Sequence, residues 1–103
     1  MGKIPEVGSF VSITLRNKGK VANGKTIKAT ETRYSDRYAT RVEVLQLDGE
    51  TDTHVRFATW VKSRYAKKNS ESDWRFSSGN SWVVEQELAN EVVQDARQLG
   101  IFE

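Results

Sequence analysis

Residues 38–61 read YATRVEVLQLDGETDTHVRFATWV, and this stretch decides the fold class. Tyr38 to Leu47 is a run rich in β-branched and aliphatic side chains, with Val42, Val44, Leu45 and Leu47. Asp48-Gly49 then supplies a hairpin turn, since glycine tolerates the positive φ that tight turns require. Beyond it, Thr53 to Val61 places Val55, Phe57 and Val61 on one face and His54, Arg56 and Trp60 on the other. Two strands joined by such a turn form an antiparallel hairpin.

The same period-two pattern extends towards the N-terminus. In Phe10 to Arg16, Val11, Ile13 and Leu15 share one face, while Ser12, Thr14 and Arg16 share the other. Asn17 to Gly24 is rich in Asn, Lys and Gly and reads as a loop. Lys25 to Tyr34 reads as strand because threonines prefer a pleated surface; Thr26, Thr30 and Thr32 lie in it, with Thr40 past the next turn, Ser35-Asp36-Arg37. On the C-terminal side, Lys62 to Asp73 is polar and expected to be a loop. Trp74 to Phe76 is a short strand, and Ser77 to Asn80 a break. The period then changes. Val84, Leu88, Val92, Ala96 and Leu99 recur at three and four, which predicts a helix from about 83 to 99 with Gly100 at its left-handed end. Ser81 either caps this helix, or Ser81 to Val84 first pairs with Trp74 to Phe76 as a hairpin. The expected architecture is mainly β: a small SH3-like barrel of about five strands over residues 5–76, with a C-terminal amphipathic helix over 81–103 packed on it.

The whole chain of 103 residues makes one domain. It contains no cysteine, which excludes disulfides, thiolate nucleophiles and Cys-based zinc sites, and its single histidine cannot build a His-rich metal cage. No signal-peptide core is visible, and no stretch approaches the ~18 apolar residues of a membrane span. A cytoplasmic protein without membrane attachment is expected. The net charge of +2 conceals a split. Residues 1–76 carry fifteen Lys or Arg against nine Asp or Glu, an excess of six positive charges. Residues 77–103 carry Arg97 against five acids, an excess of four negative ones. A basic body attracts phosphate backbones through counterion release.

Residues 19–26, GKVANGKT, match the phosphate-loop pattern G-x-x-x-x-G-K-[ST]. The context opposes that reading: the flanking strand alternates, and Thr26 is followed by poor helix formers rather than a helix. A Lys/Gly-rich hairpin loop is expected instead. Asp48, Glu50 and Asp52 do not have the spacing of a calcium loop, and Glu87, Glu91 and Asp95 form a solvated helical stripe that lacks the Glu-x-x-His partners of metal-binding bundles. His54, beside Arg56, reads as exposed or at a rim, with no nucleophile or orienting carboxylate assignable to it. No catalytic residue, metal site or cofactor is expected, and the chain reads as a non-enzyme.

Rings and basic groups are interleaved, as stacking combined with phosphate neutralisation would require. Trp60 and Trp74 are expected to be core anchors. Lys18, Lys20, Lys25, Lys28, Arg33, Arg37 and Arg41 are the candidate phosphate contacts, with Arg64, Lys67 and Lys68; Tyr34, Tyr38 and Tyr65 are the candidate stacking residues. The expected partner is nucleic acid, DNA ahead of RNA. A protein partner (polymerase, nuclease or second copy) held by residues 81–103 is the alternative, and nucleotide binding through Gly19–Thr26 a remote one.

Residues 7–13, VGSFVSI, with Val42 to Leu45, Asp48-Gly49 and His54 to Phe57, resemble SH3-like small barrels of the Tudor and KOW type over residues 5–76. That resemblance implies binding of nucleic acid, of a transcription or translation machine, or of a protein tail. No Tudor aromatic cage has matching positions. The small Cys-free format with an acidic helix is similar to bacteriophage accessory proteins that modify host transcription.

Overall fold

A computed structural model describes residues 3–15, 20–63 and 73–102. Seven strands form one antiparallel sheet: β1 (Phe10–Leu15), β2 (Lys20–Ala29), β3 (Arg33–Tyr34), β4 (Tyr38–Leu47), β5 (Thr53–Lys62), β6 (Trp74–Phe76) and β7 (Trp82–Glu85). A 3₁₀ turn, Ser78–Asn80, joins the last two, and a helix, α1 (Gln86–Gln98), follows. The order is β1-β2-β4-β5-β6, with β3 extending the β2 side of β4 and β7 sharing β5 with β6. The sheet curls into a half-barrel whose two edges do not meet, so the expected mainly β architecture with a C-terminal helix is the one observed.

The expected hairpin forms β4 and β5, in register from Tyr38↔Val61 to Gln46↔Thr53, and Gly49 at its turn has φ +81°. The run Lys25 to Tyr34 is not one strand, because β2 ends at Ala29 and β3 holds only Arg33–Tyr34, and three further boundaries differ from expectation. Asn17 to Gly24 is not all loop, because β2 begins at Lys20 and continues through Gly24. Here Gly24 packs under β4 so closely that a Cβ would lie 2.2 Å from the Gln46 carbonyl oxygen. Secondly, residues 82–85 are strand rather than the first turn of the helix. They pair with His54–Phe57 of β5, and not with β6, because Trp74–Phe76 occupies only the Trp60–Lys62 end of that edge. Thirdly, the helix therefore starts at Gln86. It ends as expected: Gly100 has φ +76°, and the N–H groups of Gly100 and Ile101 donate to the carbonyls of Arg97 and Ala96.

Alternation sorts the strands into two faces. The inner face carries Val11 and Ile13 (β1), Ala22, Gly24 and Thr26 (β2), and Ala39, Arg41, Glu43, Leu45 and Leu47 (β4). From β5 come His54, Arg56, Ala58, Trp60 and Lys62, with Trp74 and Phe76 on β6 and Val83 on β7. Leu45, Leu47 and Ile13 form one apolar cluster; Ala39, Ala58, Trp60 and Trp74 form another, which confirms both tryptophans as core anchors. Each such aliphatic side chain contributes about 1.5–3 kcal/mol by leaving water.

Between the clusters lies a buried ion triad. Glu43 is 0% exposed and accepts from Arg41 Nε at 2.8 Å and Arg56 Nε at 2.7 Å, with a second Arg41 nitrogen 2.6 Å away. Arg41 lies over the Trp60 ring at 5.1 Å and Arg56 over Phe76 at 4.6 Å, so each guanidinium has a carboxylate at one side and a π-face at the other.

A candidate nucleic-acid interface on the outer face of the sheet

The outer face reads in rows across the register. Phe10, Lys25, Gln46 and Thr53 form the first row; Lys28, Val44, Val55 and Val84 the second; Val42, Phe57 and Trp82 the third. Arg33, Thr40 and Thr59 make the fourth row, and Tyr38, Val61 and Arg75 the fifth. Among the described strand residues, none of the outward side chains is acidic. Lys25, Lys28, Arg33 and Arg75 are all exposed. The strand carboxylates, Glu43 and Glu85, are at inner positions, Glu43 fully buried and Glu85 at the exposed end of β7.

A bulge creates half of this pattern. The register of β2 shifts between Thr26 and Lys28. Before the shift even-numbered residues face inwards, and Thr26 is buried opposite Leu45; after it Lys28 faces outwards with Val44 and Ala29 inwards with Glu43. Without the extra residue Lys28 would point at the buried triad. With it, Lys25 and Lys28 both reach solvent on one edge of the face.

The rings on this face are exposed to different degrees. Phe10 is 90% exposed, and Tyr38 is 50% exposed with no ring against it among the described residues. Trp82, about half exposed, packs on Phe57 with centroids 5.2 Å apart. The Thr40 and Thr59 hydroxyls are bonded to each other at 3.0 Å, which leaves a neutral polar surface between Arg33 and Tyr38.

The sequence-predicted residues separate into groups. Lys25, Lys28, Arg33 and Tyr38 come together on the outer face. Arg33 also contacts the exposed Glu31 at 3.3 Å, a surface pair that holds it only weakly. Arg37 lies in the β3–β4 turn and donates to the Lys62 carbonyl at 3.0 Å. Tyr34 pairs with Ala39 and turns to the inner rim, where its ring meets Trp74 at 5.6 Å. Arg41 is not a surface residue: it is 8% exposed and committed to Glu43, because odd positions of β4 face the core. Lys18, Arg64, Tyr65, Lys67 and Lys68 lie outside the described residues, as does the side chain of Lys20. Arg75 was not among the predicted contacts. The signal for it was its place between Trp74 and Phe76, whose inward rings turn it outwards.

The other motifs fall elsewhere. Gly24, Lys25 and Thr26 are mid-strand, with the Thr26 side chain buried, so they do not form a loop opening a helix. His54 is half-buried on the inner face beside Leu45, and its Nδ1 is enclosed without a hydrogen-bond partner. It borders the groove of about 830 Å³ between the open barrel edges, lined also by Ile13, Arg56, Phe76 and Val83. Among the described residues no three His, Asp or Glu side chains are placed to share a metal ion, and no helix is long and apolar enough to cross a membrane.

The helix adjoins the β5–β7 side of this face, where Thr53 of the first row bonds it and Val55 of the second is only 7% exposed, and its acids Glu87, Glu91 and Asp95 are exposed. α1 packs against β5 and β7, and the Thr53 hydroxyl bonds the Gln86 side chain at its start. Ala89 is its one buried residue, with Val93 and Ala96 half-buried on the same side. The stripe expected to pack inwards is turned: Leu88, Val92 and Leu99 are exposed, along with Ile101 and Phe102. Small side chains let the helix approach the sheet, so the longer ones are left at its flank. No protein-family model matches this chain, and neither a curated protein nor a solved structure matches it.

Proposed function

We infer that this protein is a non-enzymatic, weakly sequence-specific nucleic-acid-binding protein whose contact surface is the outer face of the half-barrel. One observation carries the reading: four exposed cations, Lys25, Lys28, Arg33 and Arg75, share a sheet face on which none of the described strand residues is acidic. Phosphates are attracted to such a face without any reading of base edges. Within this proposal the half-barrel is an SH3-like barrel of the Tudor and KOW kind left open on one side, acting in transcription or a related process on DNA or RNA. Four phosphate contacts predict a slope of log K against log salt of about −3, or a loss of affinity of roughly fiftyfold for a fourfold rise in salt. Fluorescence anisotropy of labelled oligonucleotides at two salt concentrations measures it. No binding at the lower salt refutes the proposal.

The exposed Leu88, Val92, Leu99, Ile101 and Phe102 favour a second reading, an interaction module that holds another protein or a second copy through residues 81–103. Sedimentation of the full chain across a concentration series tests the self-association arm.

A further inference from the structure

We propose that the strand bound on the outer face is a single one, laid along β4 with its phosphates on the Lys25–Lys28–Arg33 edge and a base on Tyr38; this rests on the nucleic-acid reading above. The placement follows from the register. Lys25, Lys28 and Arg33 stand beside Gln46, Val44 and Thr40, successive outward positions of β4 save for Val42, and Tyr38 ends the series. Five rows two residues apart make a track about 27 Å long at the rise of an extended strand. Cations line one side of it, and its middle is Gln46, Val44, Val42 and Thr40, a surface on which bases can lie without meeting a charge.

Three observations select a single strand over a duplex. The face is the convex side of a curled sheet, so a duplex, itself a cylinder, would meet it along a narrow line and reach few phosphates. The single α-helix among the described residues exposes Glu87, Glu91 and Asp95, which repel the walls of a major groove rather than enter it. Tyr38 offers an exposed ring, free of ring partners among the described residues, two residues along β4 from the Arg33 row and two strands from Arg75, with Val61 between them. A ring between two guanidiniums suits an unstacked base with phosphates to either side, whereas in a duplex the base faces are already stacked and closed to it.

The test is anisotropy on the full chain with three probes of one sequence about 15 nucleotides long: single-stranded DNA, single-stranded RNA and duplex DNA. Single strands are expected to bind at least tenfold more tightly than the duplex. Tyr38→Ala should weaken single-strand binding about tenfold, and Tyr38→Phe, which keeps the ring, should restore it. Circular dichroism of each variant establishes that the sheet is intact. Duplex binding equal to or tighter than single-strand binding overturns this inference but leaves the nucleic-acid reading standing. So does a folded Tyr38→Ala variant with unchanged affinity. Failure of all three probes at low salt overturns both. The ratio of the DNA and RNA arms identifies which single strand is preferred.

Discussion

Glu43→Gln tests the triad at the centre of the half-barrel. The substitution keeps the size of the side chain and removes its charge. Glu43 is fully buried, and the two guanidiniums that donate to it are 8% and 6% exposed, so neither can turn to water without opening the sheet. Removing one partner of a buried ion pair costs about 3–5 kcal/mol. Here one carboxylate serves two cations, 2.8 and 2.7 Å from their Nε atoms, and its loss leaves Arg41 and Arg56 repelling each other across the β4–β5 register. A cost of about 4 kcal/mol follows, a third or more of the stability of most domains of this size. The melting temperature should fall on the order of 20 °C. Urea unfolding followed by circular dichroism measures the loss. The triple replacement Arg41→Leu, Glu43→Leu and Arg56→Met should recover most of it, because apolar side chains carry no desolvation penalty. A cost for Glu43→Gln below about 1 kcal/mol, the range of surface pairs, would refute the reasoning, since the arginines would then be reaching solvent.

Gly24→Ala should destabilise by about 2–3 kcal/mol in the same urea assay, since its new carbon would meet backbone atoms of Gln46 and Leu47 that cannot rotate away. Lys25→Ala with Lys28→Ala should leave the unfolding midpoint unchanged while reducing the magnitude of the salt slope of single-strand binding by about 1.4, the share of two phosphate contacts. Leu88→Ser with Val92→Ser should alter stability by no more than about 0.5 kcal/mol, because both side chains are exposed; any self-association seen by sedimentation should be lost with it.

The strands were legible because alternation and the Asp48-Gly49 turn are local properties, and β4 and β5 form where those signals lie. Which face turns inwards was less legible. On β5, Val55, Phe57 and Val61 are the more apolar set, yet His54, Arg56, Ala58, Trp60 and Lys62 face the core, since Arg56 is neutralised by Glu43 from the neighbouring strand. That pairing joins positions thirteen residues apart and has no signature in either strand alone. Arg41 was misplaced for the same reason. The basic edge was partly legible: Lys25 and Lys28 were named, but the bulge that turns Lys28 outwards beside Lys25 arises from the fit of β2 to β4. Arg75 was missed because its orientation is set by the two rings beside it. The strand at 82–85 was legible only as one of two alternatives and with β6 as its neighbour, because its valines also suit the helical period that follows.

The shared edge of β5 divides the molecule by how it can come apart. β6 and β7 pair with opposite ends of β5, and at the join the Thr59 N–H donates to the Ser81 hydroxyl while its carbonyl accepts from the Ser77 N–H. One residue is thus the seam between two separately fastened flaps. β7 and the helix behind it are held by four register pairs and one buried alanine, so this flap can open while β1 to β6 stay paired. Hydrogen exchange would then show amides of Val55 and Phe57 losing protection well before those of β4. The open barrel side and the C-terminal segment would breathe as one unit and carry Trp82 and Val84 of the outer face with them, while the β2–β4 part of that face stays paired.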